Sequence, residues 1–172
     1  IPEYRLPKEV LAKETRLVEQ VGVKIQTGVE VGKDVKFEEL QGRHQAIYVA
    51  TGTQFPNKAE IPGEDKAGIF HGVSFLREAN LGRKVEIGMN VVVIGGGSTA
   101  FDAARTVLRL GAQKVTVLYR RQVEDMPADP REIKEAREEG IEILPLVAPV
   151  EFLGEGSVTG VKCVRMELKG FD

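Results

Sequence analysis

Six small residues in the second half of the chain have types and a spacing that can support chemistry. The run Gly95-Gly96-Gly97-Ser98-Thr99-Ala100 fits the pattern G-x-G-x-x-A. In this pattern Gly95 makes a tight turn, Gly97 lets backbone N–H groups approach a pyrophosphate, and Ala100 packs a helix against a strand. We expect the hydroxyls of Ser98 and Thr99 to cap free N–H groups at the helix start or to reach phosphate oxygens.

The loop is flanked by the elements that a dinucleotide site requires. Val91-Val92-Val93-Ile94 precedes it and predicts a parallel strand covered on both faces. Apolar residues at positions 100, 103, 104, 107 and 108 predict one face of a helix that ends near Gly111. Residues 115–119 predict a second strand, which completes a βαβ crossover unit. We therefore interpret the loop as a nucleotide site, and a tight turn without a ligand is the alternative.

The end of the second strand bears on the choice between NADPH and NADH. An NADH site places Asp or Glu there, whereas an NADPH site needs cations for the 2′-phosphate. Arg120 and Arg121 can bind a phosphate together, and Tyr119 or an arginine plane can stack on adenine. We favour NADPH. Glu124 and Asp125 leave NADH open, and a solvated charge pair is the other interpretation of the arginines.

The other reactive side chains predict no further site. We expect Asp102 and Arg105 to pair with each other on the first helix. His44 and His71 lack the neighbours typical of a triad or a metal site. The single cysteine, Cys163, is interpreted as a packing residue. No catalytic acid–base residue and no metal site is predicted, which suits hydride transfer because that reaction depends on positioning.

Composition and charge exclude several classes of protein. The chain has 172 residues, of which 42% are hydrophobic and 29% charged, as in one compact domain or one domain plus part of another. Its 24 Lys and Arg are scattered among 26 Asp and Glu, so we do not expect nucleic acid as a partner. No apolar run approaches the roughly 18 residues of a membrane span, and no signal-peptide pattern opens the chain. We expect a cytoplasmic protein without membrane association.

The first half of the chain contains fewer strong signals. A helix is predicted from Pro7 to about Gln20, ended by Gly22, and a short strand-like run follows at residues 23–25. A single helical turn is predicted at residues 37–40. The composition of residues 46–50 predicts a buried strand that leads into Thr51-Gly52-Thr53. Prolines and glycines between residues 54 and 88 predict a connector with one short helix at residues 73–80.

The last part of the chain predicts one more helix and three strands. Asp129 and Pro130 are typical of a helix start, and this helix is predicted to reach about Glu139. Residues 141–144 predict the third strand. The runs 147–152 and 158–168 predict an antiparallel hairpin around a second glycine-rich segment, 154–160, which precedes a strand pattern and is therefore interpreted as a turn.

These motifs together resemble the small (beta) subunit family of NADPH-dependent glutamate synthase. The resemblance rests on four runs: IPEYRLP at the start, VATGT at residues 49–53, GGGSTAFDAARTVLRLGA from Gly95, and Tyr119-Arg120-Arg121 leading to Met126-Pro127-Ala128. It implies an α/β fold in which a Rossmann-like NADPH domain is inserted into a split FAD domain. Thr51 and Gly52 look like the family's Ala-Thr-Gly element in the FAD domain. Ser98 departs from the Asn or Asp common at that position in the family.

The resemblance also implies domain boundaries. Residues 1–55 would be a partial FAD-binding segment, residues 56–88 a connector, and residues 89–172 an NADPH-binding Rossmann domain that is incomplete at its C-terminal side. We expect the chain to be a piece of a longer protein that carries the FAD fingerprint and the cysteines of 4Fe-4S clusters. The piece alone is expected to bind FAD poorly and to be inactive by itself.

The implied reaction passes hydride from NADPH to FAD. Electrons would then pass through iron–sulfur centres to an acceptor subunit, such as the glutamate synthase large subunit in glutamate biosynthesis, although relatives serve other acceptors. Two alternatives remain. A stand-alone NAD(P)-dependent dehydrogenase would need an acid–base residue and a substrate domain, and a non-catalytic NAD(P)-sensing module would need no FAD fingerprint in the longer protein.

Overall fold

The computed structural model describes residues 1–53 and 55–168. It divides the chain into two compact units. The N-terminal unit is Glu3–Gln54, and the C-terminal unit contains Ile1–Pro2 and Phe55–Asp172. The residues predicted as a connector thus group with the C-terminal unit. Among the described residues, none of the helices has the length and apolar character needed to span a bilayer.

The N-terminal unit contains two helices, α1 (Lys8–Gln20) and α2 (Phe37–Arg43). Gly22 follows α1 with a φ of 97°, and its N–H donates to the Glu19 carbonyl, so the helix ends where the sequence predicts. Helix α2 extends the single turn predicted at residues 37–40. Neither helix buries a residue.

The two strands predicted in the N-terminal unit are absent from its described residues. Residues 23–25 and 46–50 have no strand assignment. Ile47 and Val49 are 37% and 66% exposed, although their composition suggested a buried strand. A β-branched run forms a strand only when a neighbouring strand pairs with its N–H and C=O groups. No described segment pairs with either run, so both predictions are wrong for this chain.

A parallel sheet organises the C-terminal unit. Its strands are β1 (Asn90–Ile94), β2 (Lys114–Tyr119) and β3 (Glu142–Pro145), in the order β1-β2-β3. Helix α4 (Ser98–Arg109) connects β1 to β2, and α5 (Pro130–Glu138) connects β2 to β3. The predicted α/β fold and its βαβ unit are confirmed.

The central strand is buried, and the edge strand is covered on one face only. Val117 in β2 is fully buried, whereas Val92 and Ile94 in β1 are 46% and 38% exposed. The sequence predicted cover on both faces of β1 because the run is continuously β-branched. That expectation is wrong, because exposed and half-buried residues alternate along β1, so only one face of the strand is covered.

Helices α3 and α4 supply part of the apolar core, alongside strand β2 and helix α5. Helix α3 (Gly72–Asn80) buries Phe75 and Leu76, close to the bounds predicted for it. Phe101 in α4 is 0% exposed. The other buried apolar residues of this core are Ala103, Ala104, Val107, Ala112, Val115, Val117, Tyr119, Met126, Ala128, Ile133, Ala136 and Ile141.

An ion-pair network joins α4 to α5. The Arg105 guanidinium, with a side chain only 10% exposed, donates to Glu135 at 2.8 Å and to Glu139 at 2.7 Å. Arg109 also donates to Glu139 at 2.7 Å. Hydrogen bonds from Arg109 and then Arg105 lower the pKa of Glu139 to about 2. The sequence pattern had suggested only the local Asp102–Arg105 pair, because it cannot show which helix lies alongside α4.

The second glycine-rich segment forms a hairpin, as predicted. Strands β4 (Val147–Leu153) and β5 (Gly160–Arg165) are antiparallel. Gly154 has a φ of 121°, and a Cβ there would collide with the Ser157 carbonyl. Cys163 lies in β5, where partial burial raises the pKa of its thiol. This environment agrees with a packing role for Cys163, because a raised pKa disfavours the reactive thiolate.

Candidate functional site

The glycine loop begins with a tight turn at the end of β1. Gly95 has a φ of 134°, a conformation that favours glycine, and its N–H donates to the Leu118 carbonyl of β2 at 3.0 Å. A Cβ on Gly95 would lie 3.4 Å from the Ala100 Cβ. The small side chain of Ala100 therefore lets the start of α4 pack against the turn.

Gly97 is the open position of the loop. A Cβ there would meet only the Pro127 ring, at 3.9 Å. The Gly97 carbonyl accepts from the N–H groups of Ala100 and Phe101, which makes Gly97 the N-cap of α4. The N–H groups of Gly97, Ser98 and Thr99 make no hydrogen bond to any other described residue. Free N–H groups and the positive end of the helix dipole suit an anionic ligand.

The hydroxyls at the helix start do not cap it. Ser98 and Thr99 are both exposed, and no side chain accepts a hydrogen bond at the N-terminus of α4. The predicted capping role is therefore wrong, because both residues lie inside the helix, one and two positions beyond the cap. Their hydroxyls remain accessible for a ligand at the same place.

Gly96 is the closely packed position of the loop. A Cβ on Gly96 would lie 2.7 Å from two ring carbons of Tyr119 and 3.0 Å from Met126. Its carbonyl accepts from the Ala128 N–H at 3.1 Å. The Tyr119 hydroxyl donates to the Asp125 carbonyl at 2.8 Å, and Tyr119 is only 8% exposed. The suggestion that Tyr119 stacks on adenine is wrong, because the ring is buried beneath the loop.

Arg120 and Arg121 lie at the same edge of the sheet as the glycine loop. Ile94 pairs with Leu118, so the two arginines follow β2 at the level where the loop follows β1. Both are exposed, and neither guanidinium makes a hydrogen bond or ion pair within residues 1–53 and 55–168. Two unpaired guanidiniums and a set of free N–H groups thus lie at the same edge of the sheet.

The remaining predicted residues lie elsewhere. Thr51 and Gly52 belong to the N-terminal unit, where both are exposed and Gly52 has a φ of 65°. His44 is exposed at the end of α2. Within the described parts of the chain, no group of three or more His, Cys, Asp or Glu side chains is arranged to hold a metal ion.

His71 has an acidic neighbour that the sequence did not reveal. Its Nδ1 lies 3.9 Å from the Glu64 carboxylate. Glu64 accepts hydrogen bonds from the backbone of Ala59 and Glu60. The Ala59 N–H is the largest cause of a lowered pKa for Glu64. Among the described residues, no hydroxyl or thiol side chain is a hydrogen-bond partner of His71 or Glu64. We therefore interpret the pair as a structural contact at the start of α3.

Sequence reasoning missed the residues that cover the loop from the other side. Met126 and Pro127 lie 3.0 Å and 3.9 Å from where a Cβ on Gly96 and on Gly97 would be, and Thr99 lies 3.3 Å from where a Cβ on Gly72 would be. In the sequence, the run Met126-Pro127-Ala128 contributes only to the family resemblance. Because β1 and β2 pair in parallel, the segment after β2 lies over the loop after β1. This pairing is the signal that could have indicated these residues.

Comparison with known proteins identifies the family. Residues 7–170 match the family model described as pyridine nucleotide-disulphide oxidoreductase. The chain belongs to this family. It is 41% identical over 172 residues to the beta subunit of the NADP(+)-dependent formate dehydrogenase of Moorella thermoacetica, covering 98% of this chain and 24% of that protein. It is 38% identical over 180 residues to the glutamate synthase [NADPH] small chain of Azospirillum brasilense, covering 98% of this chain and 37% of that protein.

The resemblance to glutamate synthase small chains is therefore confirmed at the level of the family, and this chain spans well under half the length of these relatives. A solved structure of Mycobacterium tuberculosis FprA in complex with NADPH has the same fold. Its TM-score is 0.74 at 19% identity, over 95% of this chain and 53% of FprA. At this identity the likeness supports the fold alone.

Proposed function

We propose that this chain is the NADPH-binding part of a flavin-dependent oxidoreductase that passes hydride from NADPH to FAD, as in the glutamate synthase small subunit. The family and the fold support an oxidoreductase that uses a pyridine nucleotide. One observation carries the choice of NADPH. Two unpaired guanidiniums, Arg120 and Arg121, lie at the same sheet edge as the open glycine loop.

The residues of the site fit the phosphates of NADPH. The free N–H groups of Gly97, Ser98 and Thr99 would bind the pyrophosphate, and the open face of Gly97 leaves room for it. Arg120 and Arg121 would bind the 2′-phosphate through charge-assisted hydrogen bonds. Bound NADPH supplies a hydride. The chain then has to position the nucleotide, and no proton-transferring side chain is assigned.

The flavin and the electron acceptor belong to the proposal for the whole protein. We propose that Thr51 and Gly52 form part of an FAD site completed by segments that the longer relatives contain. 4Fe-4S clusters and an acceptor subunit, such as a glutamate synthase large subunit, would complete the electron path. The relatives whose names include a glutamate synthase chain and a formate dehydrogenase subunit support a role within a multisubunit enzyme.

A titration of this chain with NADPH and with NADH tests the nucleotide assignment. Losing one guanidinium–phosphate contact of about 1.5–3 kcal/mol should weaken NADPH binding about 10- to 100-fold. We therefore expect Arg120→Ala and Arg121→Ala to raise the Kd of NADPH and to leave the Kd of NADH nearly constant. Arg137→Ala, an exposed arginine of α5, is the matched control. Equal losses for both nucleotides would contradict the 2′-phosphate role.

A spectrum of the longer protein tests the flavin assignment. The protein that contains this chain should show the absorbance of bound flavin, and anaerobic NADPH should bleach it. A protein without flavin would support a stand-alone dehydrogenase or a sensing module instead.

A further inference from the structure

Tyr119 connects the two halves of the proposed site. Its ring fills the space beside Gly96, where a Cβ would lie 2.7 Å from the ring carbons. Its hydroxyl donates to the Asp125 carbonyl at 2.8 Å. One side chain therefore contacts the glycine loop at its ring and the segment that follows Arg120 and Arg121 at its hydroxyl.

The segment after the arginines is a closed turn. The Asp125 N–H donates to the Gln122 carbonyl, and the Asp125 carboxylate accepts from the Gln122 N–H at 3.2 Å. Residues Val123–Asp125 form one turn of 3-10 helix in this closed segment. The Arg121 carbonyl accepts from the Leu146 N–H at 3.1 Å. The backbone on the C-terminal side of the arginine pair is thus held by hydrogen bonds, while the two guanidiniums remain exposed.

The same turn contains Asp125, one of the two acidic residues that keep NADH as an alternative in the sequence analysis. A carboxylate that binds the ribose 2′-hydroxyl of NADH must be available as an acceptor at the end of β2. The Asp125 carboxylate instead accepts a backbone hydrogen bond within its own turn. Arg120 and Arg121 are thus available for a phosphate, whereas Asp125 stabilises the turn that follows them.

We propose that Tyr119 is a positioning residue for nucleotide selection: its hydroxyl bond to Asp125 and its ring contact with Gly96 fix the Arg120-Arg121 segment beside the glycine loop, so that the chain binds the 2′-phosphorylated nucleotide in preference. This inference rests on the proposed NADPH site. It assigns the selection to the contacts of Tyr119 with Gly96 and Asp125 as well as to the arginines themselves. Preorganised donors lose less conformational entropy on binding, which is how such a residue increases affinity without touching the ligand.

Tyr119→Phe tests the inference, because it keeps the ring and removes the hydroxyl. The lost hydrogen bond is of a kind that contributes about 0.5–1.5 kcal/mol, so we expect the Kd of NADPH to rise about two- to tenfold. The Kd of NADH should change less than twofold. Tyr48→Phe, at a tyrosine that is 93% exposed, is the matched control and should change neither Kd.

A double-mutant cycle separates positioning from a general loss of stability. If Tyr119 acts through the arginines, Tyr119→Phe should have no further effect on NADPH binding in a chain that already carries Arg120→Ala and Arg121→Ala. Equal weakening of NADPH and NADH, or full additivity in the cycle, would overturn the inference. A wild-type chain without a preference for NADPH would instead overturn the proposed function, and a Tyr119→Phe chain with the full wild-type preference for NADPH would overturn only the role of Tyr119.

Discussion

The two compact units contain similar apolar residues and bury them to very different extents. Phe101 and Val107 in α4 are 0% and 4% exposed, whereas Phe37 in α2 and Val18 in α1 are 41% and 45% exposed. In the sequence, helix α4 connects strand β1 to strand β2. The described helices of the N-terminal unit have no sheet of their own to pack on, so the comparison separates helix formation, which is local, from burial, which needs a partner layer.

The same difference governs the strands. Val117 and Ile47 both occur in apolar, β-branched runs, yet Val117 is fully buried in a paired strand and Ile47 is 37% exposed without one. Pairing, and not composition, decides the outcome. The site residues that the structure brings together all belong to the C-terminal unit, where the pairing is present.

The largest contrast between the units should come from removing a phenylalanine. Phe101→Ala opens a cavity in a fully buried position and should lower the free energy of unfolding by about 3–5 kcal/mol. Phe37→Ala removes the same atoms from a position that is 41% exposed and should cost less than about 1 kcal/mol. Urea denaturation followed by circular dichroism measures both values. Similar costs for the two variants would mean that the units are equally well packed.

A smaller contrast should come from adding one methyl group to a glycine. Gly96→Ala places a Cβ against the buried Tyr119 ring and should destabilise the C-terminal unit by about 1–3 kcal/mol, since the packed ring cannot move freely. Gly42→Ala meets nothing within 4 Å in α2 and should be stabilising by about 0.5–1 kcal/mol because alanine favours helix. Thermal unfolding of the two variants beside the wild type checks the sign. If Gly96→Ala did not change the stability, the loop would have room for a Cβ at this position, contrary to its short distance from the Tyr119 ring.

Local chemistry explains why most of the C-terminal unit was predictable. The turn at Gly95, the helix α4 and the strands on either side are specified within about 30 residues, the size of a βαβ unit. The hairpin was predictable for the same reason, because Gly154 can adopt a φ of 121° that other residues rarely adopt. Each of these elements depends on residues close to it in sequence.

The parts that could not be predicted depend on contacts between distant residues. Nothing near Arg105 in the sequence indicates Glu135 and Glu139, which lie on another helix. The burial of Tyr119 beneath Gly96 follows from the pairing of β1 and β2, which periodicity alone does not fix. The same limitation explains the wrong strand prediction at residues 46–50. A strand forms only when another strand pairs with it, and the residues of the run itself do not indicate whether such a partner is present.

The smallest contrast is between one glutamate ion pair in each unit. Arg109 and Arg105 lower the pKa of Glu139 from 4.5 to about 2 in the folded chain, so its contribution to stability is fully present above about pH 4.5 and is lost as the pH falls towards 2. Glu139→Gln should therefore cost about 1–2 kcal/mol at pH 7 and progressively less between pH 4.5 and 2.

Glu39, which pairs with Arg43 on the exposed face of α2, contributes about 0.3–0.5 kcal/mol as a surface pair. A Glu39→Gln chain should thus stay within about 0.5 kcal/mol of the wild-type stability at each pH, measured by urea denaturation. If Glu139→Gln and Glu39→Gln gave the same curve, the pairs in α4–α5 and in α2 would be equally screened by solvent, and the difference in burial between the two units would have no electrostatic consequence.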